Sequence, residues 1–396
     1  MPRDPSRLRI LMVLESVFPR GGGAESQVRT LARLLRKRGH SVTVLTPRVP
    51  TAVPQARVQR LDGFAVCRID YPKIRGIGTL VLWLRVLAFL RRHGRHYDAW
   101  HVHIAHYLGA ITCWQGARTG KPVIVKISGW WELERGLLRK RGGLISAIGK
   151  RLLHRATTVQ AISHRIELEL AAQNFPAGSI VAIPNAIDTS RFPSRPMPGT
   201  AEPVRVVFLG RLVPEKDLDG LFEAWRIAFP EAGGARLLMV GSGRCEQSLR
   251  ALADKLGITG QIEFIGHQDD VTPYLQDVDV GVLPSLIEGL SNTMLEFMAS
   301  CIPVIASRVS GSEDFIVDER NGWLFAPGDR AELARKLLHA VALGRQKLFA
   351  MGQQARADVE ALAGADVVVD RLLSLYRNCA PGSAHEQNVE RTALER

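Results

Sequence analysis

Short runs rich in Val, Ile and Leu alternate with longer amphipathic stretches along this chain, and the alternation starts twice. In the first series "LRILMVLES" (8–16) is an unbroken apolar run, as a strand buried on both faces requires. Three glycines (21–23) follow it. In the next stretch, "AESQVRTLARLLRKRGH", Val28, Leu31, Leu34 and Leu35 share one helical face. Gly39 ends that pattern and "SVTVLT" opens a second strand, so the unit is βαβ, the seed of a parallel doubly wound sheet. "FAVCRID", "AWHVHI", "PVIVKIS", "TTVQAIS" and "SIVAIPN" continue the series. "PSRPMPGTAEPV" (193–204), rich in proline and small residues, reads as a linker.

The second series follows the linker. Its strands are "VRVVFLG", "ARLLMVG", "QIEFIG", "VGVLPS", "IPVIAS" and "GWLFAP", with helices such as "LDGLFEAWRIAF" and "QSLRALADKLG". "AELARKLLHAVAL" and "VVVDRLLSLYRN" close the chain as helices before a polar tail. At 396 residues two cores are the natural expectation. The chain therefore reads as α/β, with two doubly wound parallel-sheet domains whose ligand-binding strand ends meet in a cleft.

Charge divides the halves. Residues 1–200 hold 32 Lys and Arg against 11 Asp and Glu, and residues 201–396 hold 20 against 28. A basic first half suits a phosphate-bearing or anionic-surface partner, although solubility alone would also explain it. The five cysteines (Cys67, Cys113, Cys245, Cys301, Cys379) form no close pairs, which suits reduced thiols and a cytoplasmic setting. No signal peptide is visible in "MPRDPSRLRILMVLES". "TLVLWLRVLAFL" (79–90) is too short to span a bilayer and carries Arg85, so it fits a half-buried helix or one lying on a membrane surface.

Two segments of the acidic half carry chemistry. In "GRLVPEKD", Arg211 and Lys216 follow a strand on a turn containing Pro214; two cations at a strand end suit a diphosphate, and alone they also fit a solvated surface turn. In "LPSLIEGLSNTMLEFMAS", a loop over 286–291 leads into a helix over 292–300. Gly289 lets a ligand approach the backbone, and the amides of Leu290, Ser291 and Asn292 open the helix, where unpaired donors favour an anion. Glu288 and Glu296 flank that turn. Carboxylates repel phosphate, so their targets are hydroxyls: ribose at Glu296 and hexose at Glu288. Hydroxyl-bearing groups on both sides of a diphosphate describe a nucleotide-sugar.

"EGLSNTMLEFMASCIPVIAS" resembles the signature of retaining glycosyltransferases of family 4, with two glutamates separated by seven residues. "GRLVPEKD", "VGSGRCEQSLRALADKLGITGQIEFIG" with its Gly241–Gly243 turn, "AIPNAIDTSRF" and "GGGAE" resemble further segments of that family, in order along nearly the whole chain. The resemblance implies a GT-B fold, two facing Rossmann-like domains: an acceptor domain over 1–195 and a donor domain over 203–362. A helix over 363–380 would cross back to the first domain, leaving a tail over 381–396. It also implies that Arg211 and Lys216 neutralise the leaving diphosphate, that Glu288 holds the donor sugar and that Glu296 holds the ribose. The amides of Gly289, Leu290 and Ser291 and the loop at Gly22 and Gly23 would hold phosphate, with Gly241 and Gly243 in the donor site. Retention of configuration, front-face attack and no metal or other cofactor complete what it implies.

One position departs from that pattern. Where many relatives have His-Gly after the strand of "PVIVKIS", this chain has Ser128-Gly129; Ser128 carries no charge, so Lys126 or the Trp130–Trp131 pair could share its role, or the tryptophans could serve the core. His101, His103 and His106 raise a metal reading, which needs a ligand set of sensible geometry with a carboxylate or thiolate nearby, but alternation at a strand end is expected to put only one of the first two in the cleft. His103 is the candidate acceptor contact, with Ser128 and Lys126. Neither Gly-x-x-x-x-Gly-Lys-Ser/Thr nor Gly-x-Gly-x-x-Gly follows the first strand, and Lys216 beside Arg211 reads as a charge rather than a Schiff base.

The region 135–155 mixes Leu137, Leu138, Leu144, Ile145 and Ile148 with cations, the composition of a helix on an anionic leaflet. The expectation is a cytoplasmic retaining glycosyltransferase, peripheral on the membrane's inner face. It would move a sugar from a nucleoside-diphosphate donor, uridine-linked, to a lipid-linked or polysaccharide hydroxyl, with no nucleic-acid partner. A nucleotide-sugar epimerase on the same architecture would need more acid/base groups at the sugar. A non-catalytic polyanion-binding protein would leave the carboxylate-flanked turn without a purpose.

Overall fold

The structure is a computed structural model that describes residues 6–19, 22–49, 55–74, 76–139, 142–194, 203–231 and 234–378. The chain separates into two compact units. One runs to Ala186 and takes in the C-terminal helix from Asp366; the other is Ile187–Ala365. The division falls ahead of the proline-rich stretch for a local reason. Ile187 N donates to Ala363 O at 2.9 Å, and the Arg356 guanidinium donates to the carbonyls of Phe192 and Ala299, each at 2.6 Å. Those bonds tie 187–194 into the second unit. Residues 195–202 of the expected linker, and the expected tail, lie outside the described residues.

The first unit comprises β1 (Arg9–Val13), α1 (Gly23–Lys37), β2 (Ser41–Pro47), β3 (Val58–Leu61), β4 (Phe64–Ile69), α2 (Ile77–His93), β5 (Ala99–Val102), α3 (Tyr107–Thr119), β6 (Val123–Ile127), α4 (Trp131–Glu134), α5 (Leu144–Leu153), β7 (Thr158–Ala161), α6 (His164–Ala172) and β8 (Ile180–Ala182). Its sheet has the order β3-β4-β2-β1-β5-β6-β7-β8, parallel except that β3 runs antiparallel to β4. Strands β5, β6 and β7 are buried at every residue, because helices cover both faces.

The second unit comprises β9 (Val204–Leu209), α7 (Leu218–Ala228), β10 (Ala235–Val240), α8 (Glu246–Leu256), β11 (Ile262–Gly266), α9 (Thr272–Leu275), β12 (Val280–Leu283), α10 (Asn292–Ala299), β13 (Val304–Ser307), α11 (Ser312–Phe315), β14 (Gly322–Phe325) and α12 (Arg330–Ala363). All described pairings in its sheet, β11-β10-β9-β12-β13-β14, are parallel. α12 kinks at Gly344, whose φ of 77° breaks the helical run. Within this unit β12 and α10 pack closely at Gly281, where a Cβ would run into the Phe297 ring.

Helix α13 (Ala365–Asn378) packs with the first unit. It buries Val368, Val369, Leu372, Leu373 and Tyr376, and the Tyr376 hydroxyl meets His101 Nδ1 at 2.7 Å. Each sheet has one place where the strand order reverses direction: between β1 and β5 in the first, between β9 and β12 in the second. The carboxyl ends of those strands are where open parallel sheets hold ligands.

Candidate functional site

In the second unit the reversal point is bridged by charge. Lys216 stands on the turn after β9 and Glu288 on the loop after β12, and the Lys216 Nζ pairs with Glu288 Oε1. Both side chains are about one-fifth exposed (17% and 21%), so a ligand could reach either. Ser285 Oγ donates to the same carboxylate oxygen at 3.3 Å. The turn itself is fastened to the β12 loop, as Leu286 N donates to Glu215 O at 3.0 Å. A small pocket opens beside the pair, lined by Ser285, Glu288, Ser291, Ser307, Ser310 and Ser312. Gly311, at φ 83°, lies against Gly289 O, so no Cβ fits there. Ser291 caps α10 by accepting from Met294 N at 3.4 Å, which sets the start of that helix on the pocket.

Glu296 lies further along α10. Part of its surface is reachable by solvent, yet desolvation pushes its carboxyl up from 4.5 to about 7, with Arg191 opposing that rise. Among the described residues it has no hydrogen-bond partner. The two glutamates thus differ: Glu288 is ion-paired and Glu296 is unsatisfied. Arg211 is exposed and its guanidinium makes no contact among the described residues.

Gly241 and Gly243 have a packing role of their own. A Cβ on Gly241, at φ 138°, would meet Gly210 O, and one on Gly243 would meet Leu212 O. With Leu212 N donating to Ser242 O at 3.0 Å, these glycines allow the β9 and β10 loops to lie together, so packing accounts for both. Gly22 differs from its expected role. Its amide donates to Glu25 Oε2 at 2.7 Å, so the glycine loop before α1 presents a carboxylate where free amides for phosphate were expected; Gly21 lies outside the described residues.

In the first unit His101, His103, Lys126 and Gln160 point to one face of the sheet. The expectation that only one of the two histidines faces that side is corrected: residues two apart on a strand share a face. Their rings stack at 4.1 Å. His101 is held by Tyr376 and, at 3.1 Å, by Gln160 Oε1, and burial pushes it down to about 3. His103 is 1% exposed and Lys126 2%, so neither offers a surface to an acceptor, which corrects their expected role as direct contacts. Burial pulls the Lys126 ammonium down to about 7, with Glu132 opposing.

Ser128 is engaged as well. Its amide donates to Glu132 Oε1 at 2.7 Å and its hydroxyl donates to the same oxygen, while Ala105 N donates to Oε2 at 2.6 Å. Glu132 is fully buried, and desolvation pushes its carboxyl up to about 7 against these bonds. It therefore buckles the loops after β5 and β6 together. Sequence reasoning passed over Glu132, as it passed over Glu15. The usable signal was position, since Glu15 stands at the carboxyl end of one predicted strand and Glu132 just beyond that of another.

On the surface of this unit Leu144 (79% exposed), Ile145 (66%) and Ile148 (53%) project from α5. Leu137 and Leu138 are buried instead, so the basic-apolar surface is narrower than the sequence implied. α2 is half-buried: Leu82, Val86 and Leu90 face in, and Ile77, Leu80 and Leu84 face out. No helix among the described residues is long and apolar enough to cross a membrane, and no cluster of three metal-ligating side chains stands among them.

Comparison with known proteins extends these observations. Residues 21–191 match the model "Glycosyltransferase Family 4" and residues 203–342 match "Glycosyl transferases group 1". The chain is 28% identical to the putative colanic acid biosynthesis glycosyltransferase WcaL of Escherichia coli over 58% of each protein. It is 34% identical to the lipopolysaccharide core biosynthesis glycosyltransferase LpsE of Rhizobium meliloti, over 47% of this chain and 51% of that protein. The match thus spans little more than half the length of those two relatives. A GDP-mannose-dependent phosphatidylinositol monomannoside mannosyltransferase of Mycobacterium tuberculosis is 25% identical over 93% of this chain and 98% of its own. Among solved structures, Anabaena HepE in complex with UDP and glucose superposes with a TM-score of 0.74 at 19% identity, covering 93% of this chain and 99% of that one. Sucrose-phosphate synthase from Thermosynechococcus elongatus gives 0.75 at 21% identity, covering 94% and 99%. At such identities the likeness speaks to the fold alone.

Proposed function

The chain is a family 4-like glycosyltransferase protein of the GT-B fold, and from that premise we propose that it moves a sugar from a nucleoside-diphosphate sugar to a hydroxyl acceptor in polysaccharide or glycolipid assembly. The observation that carries the proposal is the Lys216–Glu288 pair across the reversal point of the second sheet, beside a hydroxyl-lined pocket at the start of α10. A diphosphate entering there exchanges with Glu288 for Lys216 and meets the amides of Gly289, Leu290 and Ser291 at the helix start. Glu288, released, turns to the donor sugar's hydroxyls. Arg211, unpaired and exposed, closes on the phosphates from the same turn. Glu296, partly desolvated and without a side-chain hydrogen-bond partner among the described residues, accepts from the ribose. Charge stabilisation by Lys216, Arg211 and the amides then takes the place a metal ion would fill. With the leaving phosphate oxygen taking the acceptor proton, the anomeric configuration is retained.

The nucleotide we propose is UDP, the ligand of the HepE structures; the mycobacterial relative names GDP-mannose, so both belong in the test. Thermal stabilisation by UDP, GDP, ADP and dTDP identifies the base. A rise with one nucleotide that is lost in Lys216→Ala and Glu296→Ala, and kept in Glu288→Ala with turnover gone, supports the assignment. No shift with any nucleotide removes it.

We also propose that the enzyme works at an anionic membrane surface in the cytoplasm. Leu144, Ile145 and Ile148 are exposed at the start of α5, with Lys150, Arg151 and Arg155 behind them, which suits insertion of the apolar end and contact of the cations with headgroups. Sedimentation with anionic liposomes at low and high salt, against a Leu144→Glu/Ile148→Glu variant, tests it. Equal recovery in the supernatant with neutral and anionic lipid rules it out.

A further inference from the structure

The first sheet carries a carboxylate–imidazole pair at its own reversal point, and the proposed donor site does not use it. Glu15 stands just beyond β1 and His106 just beyond β5, the adjacent strands at which the order turns. Glu15 Oε1 lies 3.0 Å from His106 Nδ1, and Glu15 Oε2 accepts from Leu108 N at 2.7 Å. The carboxylate thereby fixes the imidazole from behind. It holds the proton on Nδ1 in the neutral ring and leaves Nε2 as a hydrogen-bond acceptor. Among the described residues Nε2 has no partner, and the His106 side chain is 32% exposed.

Aromatic rings border that imidazole. Tyr107 meets the imidazole edge-on at 4.6 Å, and the Trp131 ring, 44% exposed, is centred 6.4 Å away. Trp131 is set in place by its neighbours. A Cβ on Gly129 would lie 2.8 Å from the indole, so only glycine leaves room for the ring, and Glu132 clamps the loops that carry Trp131 and His106. An unpaired acceptor beside an exposed indole, on loops braced by two carboxylates, matches what a sugar needs: a flat apolar surface for the ring's C–H face and a directed group for one hydroxyl.

We infer that Glu15, His106 and Trp131 form a subsite for a neutral hexose ring of the acceptor, with a ring hydroxyl donating to His106 Nε2. The inference rests on the glycosyltransferase reading and names what its first unit receives. His106 and Trp131 touch the sugar; Glu15 is a positioning residue, acting through the tautomer of His106. The hydrogen bond of Glu15 also raises the imidazole pKa from 6.5, so Nε2 accepts from a sugar hydroxyl in the neutral ring and donates to a hydroxyl oxygen once the ring is protonated.

The test is nitrogen-15 histidine NMR and indole proton spectra of the full chain, titrated with the methyl α-glycosides of glucose, galactose and mannose, and separately with UDP and GDP. The expected result is a perturbation of His106 Nε2 and the Trp131 indole by at least one hexoside, at least tenfold weaker in Trp131→Ala and in His106→Ala. In Glu15→Gln the two His106 tautomers should become mixed and hexoside affinity fall several-fold, which a merely structural brace would not produce. Nucleotide binding by each variant reports that it is folded. If no hexoside perturbs either residue while a nucleotide binds, or if the perturbation survives both alanine variants, the subsite is wrong and the donor assignment stands. If a hexoside perturbs them but no nucleotide binds, the donor assignment fails and the sugar site stands.

Discussion

Glu296 should trade stability for nucleotide affinity, and Glu296→Gln should reveal both sides. In the free protein the carboxyl is raised from 4.5 to about 7. The folded state therefore holds its proton more tightly than the unfolded chain, and stability declines as pH climbs from 4.5 towards 7. Full desolvation would make that loss about 3 kcal/mol, and the solvent that reaches the residue reduces it to roughly 1–3 kcal/mol. Glutamine has no charge to bury, so Glu296→Gln should unfold at a higher temperature than the parent near pH 8 and at the same temperature near pH 4. Nucleotide affinity should move the other way. An ionised carboxylate accepting from ribose hydroxyls contributes about 1.5–3 kcal/mol per bond. Glutamine keeps one acceptor, so a loss of about 2 kcal/mol, or about 30-fold in Kd, is expected near pH 8.

Binding favours the ionised form and so lowers the carboxyl's pKa in the complex below its value of about 7 in the free protein. The parent's advantage should therefore fade as pH is lowered from about 8 through about 7 and below, and the pH dependence of the phosphate itself cancels in the comparison. Calorimetric titration with UDP or GDP across that range, beside scanning calorimetry of both proteins, supplies the data. Parallel affinity profiles, or a glutamine variant less stable than the parent near pH 8, would refute the reasoning.

Lys216→Ala should weaken nucleotide binding by roughly 10- to 100-fold through loss of a charge-assisted contact, measured by the same titration. Gly241→Ala should cost about 2–5 kcal/mol, because a left-handed backbone and a collision with Gly210 O add together, whereas Gly257→Ala, with open space around it, should cost only about 1 kcal/mol; urea unfolding followed by tryptophan fluorescence separates them. Tyr376→Phe should leave His101 Nδ1 buried without a partner and lower stability by about 1–3 kcal/mol, seen as earlier hydrogen exchange of α13 than in the parent.

The strands were legible because parallel strands covered on both sides read as continuous apolar runs. β3 escaped notice: its four residues "VQRL" form an exposed antiparallel edge with little apolar signal. The second half of α12 was hidden behind Gly344, which has the left-handed φ of a helix end although the helix resumes after it. At the donor site each residue could be placed at the end of its own strand, and β9 and β12 proved to be neighbours. The contact between Lys216 and Glu288 was not foreseen, because the sequence suggests a partner for each in the ligand and none in the other. Glu15 and His106 lie 91 residues apart, and only the strand order makes them adjacent. Local pattern carries no record of strand order.

The closing helix α13 has a consequence for biosynthesis. The first unit is the first to leave the ribosome, yet it lacks Val368, Val369, Leu372, Leu373 and Tyr376 until the whole second unit has been made. During that interval the seat for those side chains, including the ring of His101, stays open to water and to non-native contacts. Premature termination at Asp366 would leave that seat open for good, so a nonsense change there should damage the first unit while sparing the second, which ends at Ala365.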